Sequence, residues 1–118
     1  MQAKLFTYED IIHYVFLDDY YLTYDGAVEN NHKISQLTGG KRYLLLADIR
    51  SKFLTEEKAE NYLSSSKVRS KIKALAILVN GDTMQSNLDL FAEMGTKKLA
   101  VKVFVSQNYA IEWLKSIR

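Results

Sequence analysis

A chain of 118 residues, 47% apolar and 25% charged, has the composition of one soluble globular domain, residues 1–118. Without cysteine it has no disulfide, no thiol nucleophile and no cysteine-ligated zinc. The net charge of +2 divides unevenly, −5 over residues 1–30 and +7 over residues 31–118.

The chain opens with a predicted β-hairpin, Lys4–Tyr8 and Ile11–Leu17, joined by Glu9-Asp10. In its second strand both alternating faces are apolar and only His13, read as an edge-strand residue, interrupts them. Such a strand needs cover on both sides, by helices or by another subunit. Thr23 or Asp25 then caps a predicted helix to about Thr38, with Ala27, Ile34 and Leu37 inward. Glu29, Asn30, Lys33 and Gln36 are expected to face water, and Gly39-Gly40 to end the helix. Leu44–Ala47 is short and continuously apolar, as a central parallel strand is.

Thr55 is the expected N-cap of the next helix, with Ser64-Ser65-Ser66 either breaking it or restarting a turn through Val68 and Ile72. The densest basic stretch, Lys67, Arg69, Lys71 and Lys73, is read as a solvated turn before the strand Ala74–Val79. Asp82 is expected to cap a helix to about Met94. Leu99–Val105 is the last strand, and Ser106 caps a terminal helix, Gln107–Ile117. The order β-β-α-β-α-β-α-β-α implies an α/β fold. Its sheet has four to five mostly parallel strands, an antiparallel N-terminal hairpin and about four helices.

Three segments carry a family likeness. Leu37–Arg50 resembles the helix end, strand and exit loop of small bacterial STAS-like domains, related to the anti-sigma-factor antagonist fold. Lys73–Val79 resembles their next strand, and Asn108–Lys115 their final helix. The resemblance implies a STAS-like fold, with phospho-switched partners of anti-sigma kinases and CRAL-TRIO-like carriers of apolar ligands among its members. In the antagonists a phosphorylatable serine lies where the chain leaves a central strand and enters a helix. Ser51 is the matching position here, although Ile49 and Arg50 separate it from Asp48. A phosphate there would pair with Arg50 or Lys52.

The residues themselves offer little catalytic inventory. His13 and His32 have no partner at metal-ligand spacing, and no Gly-x-Ser-x-Gly elbow or phosphate-cradling glycine loop occurs. No enzyme activity and no cofactor are therefore expected. Ligands of open parallel sheets bind outside the carboxyl ends of the strands, where Asp48, Arg50, Ser51, Asn80, Asp82, Ser106 and Gln107 fall. The same residues serve equally as helix caps. Aromatic residues crowd the hairpin, so Tyr8, Tyr14 and Phe16 form either a homodimer interface or a core face. Met84, Leu88 and Phe91 line either an apolar pocket or the core. These features favour a non-catalytic, homodimeric module that binds a protein partner, with a carrier of an apolar ligand or lipid as the alternative. A pI near 8.7 without RNP-type or arginine-rich segments gives no expectation of nucleic acid. The apolar runs are far shorter than the ~20 residues of a membrane span, which excludes an integral membrane association. No leader pattern opens the sequence, so the expected location is cytoplasmic.

Overall fold

Three strands that are apolar on both faces, β2 (Ile11–Phe16), β4 (Tyr43–Asp48) and β6 (Ile72–Leu78), form the centre of one sheet. This computed structural model describes residues 3–95 and 99–118. The edges of the sheet are β1 (Ala3–Tyr8) and β7 (Ala100–Phe104), in the order β1-β2-β4-β6-β7. Only β1 runs antiparallel; it pairs with β2 in the register Tyr8↔Ile11. The two-residue turn between them holds Glu9 and Asp10 in left-handed backbone, φ 53° and 63°.

Alternation along the strands divides the core in two. Ile12, Tyr14, Phe16, Leu45, Leu75 and Ile77 face one side. That side is covered by α1 (Tyr24–Thr38), α2 (Glu57–Leu63), α3 (Ser66–Arg69) and α4 (Gln85–Ala92). Ile11, Leu44, Leu46, Ala74, Ala76 and Leu78 face the other, against Ala110, Ile111 and Leu114 of α5 (Gln107–Ile117). The alanines of β6 leave room for the single helix to sit close. Ion pairs Lys115–Glu9 at 2.9 Å and Arg118–Asp10 at 3.3 Å fasten its end to the hairpin turn.

Caps behave as their chemistry dictates at α1 and α5. Thr23 accepts the Gly26 N–H at 3.0 Å, and Ser106 accepts that of Tyr109 at 3.4 Å. Gly39, at φ 66°, closes α1 in the conformation that glycine adopts without steric cost.

Several expectations are corrected. Asn30 is buried, because its amide donates to the Tyr14 hydroxyl at 2.7 Å and the Tyr20 hydroxyl at 3.3 Å. Leu37 is instead 46% exposed. Thr55 belongs to a two-residue strand, β5 (Leu54–Thr55), which pairs in parallel with β3 (Tyr21–Leu22). The helix after it starts at Glu57, with Glu56 as N-cap. Asp82 sits in a turn, and Met84 is the N-cap of α4.

His13 is central rather than marginal, 1% exposed between β1 and β4. Phe6 stacks on it at 4.9 Å between centroids and Tyr8 meets it edge-on at 5.9 Å. Its Nε2 is buried with no hydrogen-bond partner among the described residues. Burial holds its pKa below the ordinary 6.5. The unfolded chain then takes up a proton at His13 more readily than the folded one. Its share of stability is full above pH 6.5 and declines as pH falls from there toward the lowered folded value.

Urea denaturation at pH 7.5 and pH 5 is expected to show a larger drop for the unaltered chain than for His13→Leu. Phe16 is 1% exposed and stacks at 4.3 Å on Tyr14 and 4.4 Å on Phe53. Phe16→Ala is expected to lower unfolding stability by about 3–5 kcal/mol, while Tyr8→Ala costs about 0.5 kcal/mol or less, by the same measurement.

Candidate functional site

The exit of β4 is folded back into the core. Ile49 continues the ladder, its N–H donating to the Leu78 carbonyl at 3.0 Å. Ile49 and Phe53 are both buried, so the three residues between them, Arg50, Ser51 and Lys52, are held in an outward loop. Asn87 and Thr83 fasten the same loop from α4 and its approach. The Asn87 amide donates to the Phe53 carbonyl at 3.1 Å and the Thr83 hydroxyl to the Ile49 carbonyl at 3.2 Å.

Asp48 ends the strand 6% exposed, and one guanidinium satisfies it. Arg50 Nε donates to Oδ1 at 2.9 Å, a terminal nitrogen to Oδ2 at 2.7 Å, and the Arg50 N–H to Oδ1 at 3.2 Å. These bonds raise the Arg50 pKa further above its ordinary value. The exit of β2 approaches from the other side. Lys52 N–H donates to the Asp18 carboxylate at 3.1 Å and Asp19 N–H to the Lys52 carbonyl at 2.9 Å. At the exit of β6, the Asp82 N–H donates to Asn80 Oδ1 at 2.9 Å.

These exits enclose an open cleft of about 650 Å³. Asp48, Arg50, Ser51, Asn80 and Asp82 all line it, together with Val15, Asp18, Asp19 and Lys52. Four carboxylates thus face two cations, and one carboxylate is already matched to Arg50. A second, smaller cleft of about 230 Å³ shares Asp19 and Lys52 with the first. Its remaining wall is Tyr20, Tyr21, Phe53, Leu54 and Met84. Tyr21 and Leu54 are register partners, 50% and 60% exposed.

Other sequence-selected residues lie elsewhere. Ser51 is six positions ahead of α2, with Phe53 and β5 intervening, so it does not stand at a helix start. Ser106 and Gln107 begin α5, away from the residues that line the cleft. Tyr14 and Phe16 are 3% and 1% exposed, which makes them core and not interface; Tyr8 is exposed. Among the described residues, Met84, Leu88 and Phe91 do not surround one pocket. Phe91 is in the core, Leu88 at its margin and Met84 on the smaller cleft. The apolar cavity beside α4 is about 20 Å³, room for about one water. An apolar cargo would need on the order of 300 Å³ or more. The carrier alternative therefore has no room here among the described residues.

The sequence reading did not place Asp18, Asp19, Tyr21 or Leu54 at a site, and named Lys52 only as a phosphate partner of Ser51. The strand-end rule would have reached the first two had β2 been read as a parallel strand as well as half of a hairpin. Among the described residues, no three metal-ligating side chains converge and no helix is long and apolar enough to cross a membrane.

Residues 5–118 match a family described as Domain of unknown function (DUF7793). No curated protein matches the sequence. Among solved structures, the chain is similar to an uncharacterized protein of the DUF3478 family with a SpoIIAA-like fold, from Shewanella loihica PV-4. The TM-score is 0.67 at 19% identity, over 95% of this chain and 91% of that one. The likeness establishes the SpoIIAA-like, or STAS-like, fold that Leu37–Arg50 and its companion segments implied.

Removing Arg50 leaves a nearly buried carboxylate without its partner. Arg50→Leu is expected to destabilise the fold by about 1–3 kcal/mol at neutral pH, a range that allows for the partial exposure of the guanidinium. Adding Asp48→Asn should recover most of that loss in urea denaturation.

Proposed function

The chain belongs to the DUF7793 family, and from that premise we propose that it is a non-catalytic interaction module that docks a partner protein at the carboxyl ends of its strands. The observation that carries this reading is the pair Tyr21 and Leu54, exposed side by side on β3 and β5. Interface cores favour tyrosine and other apolar anchors set within a polar rim. Here the rim is the adjoining cleft, where Asp18, Asp19 and Asp82 outnumber Lys52 once Asp48 and Arg50 are paired. The complementary partner segment therefore carries apolar side chains for Tyr21, Leu54 and Met84 and basic ones for the carboxylates.

Support also comes from how the polar groups are used. Proton transfer at Ser51 requires a free base within hydrogen-bond reach. Asp48, one of the carboxylates that share the cleft with Ser51, accepts from Arg50 through both of its oxygens and is not free to act as that base. The loop is pinned by Ile49 and Phe53, so it has little conformational freedom to lose on association.

A photo-crosslinking residue placed at position 54 in the producing organism, with position 58 on α2 as control, tests the reading. One discrete adduct is expected at position 54 and none at 58. Once that partner is purified, Leu54→Asp is expected to weaken binding at least tenfold, or about 1.4 kcal/mol, and Lys58→Ala to leave it unchanged. Matching adducts at both positions, or an affinity indifferent to Leu54→Asp, would contradict it.

A further inference from the structure

The opposite pole, at the amino ends of the strands, gathers positive charge from segments that are distant in sequence. The turn after α1 places two consecutive left-handed glycines, Gly39 and Gly40 at φ 66° and 77°, ahead of the exposed Lys41 and Arg42. The junction of α3 and β6 runs beside it. Tyr43 N–H donates to the Lys71 carbonyl at 2.9 Å, and Lys71 Nζ reaches the Gly40 carbonyl at 3.3 Å.

Lys73 joins them through an irregularity in the sheet. The pairing of β4 with β6 shifts from Tyr43↔Ile72 to Leu44↔Ala74, so Lys73 is skipped. Ile72 and Ala74 are buried on opposite faces of the sheet, while Lys73 between them is exposed. A bulge of this kind leaves the extra residue unpaired and re-aims its side chain. The result is a cleft of about 680 Å³ lined in part by Lys41, Arg42, Lys73 and Arg118.

The two carboxylates in its wall are already engaged, Glu9 by Lys115 at 2.9 Å and Asp10 by Arg118 at 3.3 Å. Among the described residues, Lys41, Arg42 and Lys73 form no ion pair. Three like charges converging on one concavity repel one another and focus a positive potential there. Beside them Leu37, 46% exposed, supplies an apolar contact, and the volume is that of a small-molecule site.

We propose that this amino-end cleft binds a small organic phosphate, its phosphates held by Lys41, Arg42 and Lys73 and its uncharged body lying against Leu37. Arg42 offers a planar fork for phosphate oxygens, and the two lysines act as point charges. The site is independent of the docking face, about 17 Å away along β4 at ~3.3 Å per residue.

Isothermal titration of the purified chain with ATP and with inorganic pyrophosphate tests the proposal. Saturable, one-to-one binding is expected, weakened at least tenfold by Lys73→Glu and by Arg42→Glu and unaffected by Lys58→Glu on α2. Binding of both probes supports recognition through the phosphates alone. Binding of ATP only supports it with the contact to Leu37 as a further determinant. Thermal unfolding of each variant verifies its fold, since both positions are exposed. The proposal is overturned if neither probe saturates at millimolar concentration. It is overturned equally if Lys58→Glu weakens binding as much as Lys73→Glu, or if only single-stranded RNA or anionic vesicles bind.

Discussion

The stack of Phe53 on Phe16 fixes what the molecule presents at one pole. Phe16 is the last residue of β2 and Phe53 comes from the loop after β4, so a contact of 4.4 Å between ring centroids ties two strand exits together. Phe91 of α4 meets Phe16 at 5.6 Å and closes the cluster. With Ile49 also buried, the loop has an anchor at each end and only its middle faces solvent. The β3–β5 pair, the Asp48–Arg50 fork and the clefts between them follow from that fastening. A loop without inward anchors would present the same side chains in no fixed relation.

The sheet is covered unequally, and the two poles differ in kind. Among the described residues, four helices lie on one face and α5 alone on the other, where small residues of β6 and ion pairs to the hairpin turn hold it. Acidic side chains collect where β2, β4 and β6 end, and basic ones where β4 and β6 begin. The uneven division of charge along the chain thus becomes, in part, a division in space. Parallel strands make this possible, because every exit falls on one pole and every entry on the other.

Much of this was legible in the residues. Continuous apolar runs marked β4 and β6, and Thr23, Gly39 and Ser106 marked helix ends, because the physics of those features is local. The strand-end rule collected Asp48, Arg50, Ser51, Asn80 and Asp82, which line one cleft. Illegible features were those decided by distant partners. β3 and β5 are two residues each, too short for any periodicity, and exist only through each other. Asn30 reads as a solvent-facing helix residue until two tyrosine hydroxyls are seen to claim it. Tyr14 and Phe16 suit an interface as well as a core by type; Asn30 of α1 decides for Tyr14, and Phe53 and Phe91 decide for Phe16. The basic stretch reads as a solvated turn because Lys41 and Arg42, far away in sequence, complete the cluster.

Amide hydrogen exchange resolved by residue tests most directly whether the carboxyl-end face is built before any partner arrives. Leu54 N–H donates to the Tyr20 carbonyl and Glu56 N–H to that of Leu22, each at 2.8 Å. Both amides are expected to exchange slowly in the free chain, and Phe53→Ala to release them while Leu45 in β4 stays protected. Unprotected exchange at Leu54 and Glu56 in the unaltered chain would contradict the account.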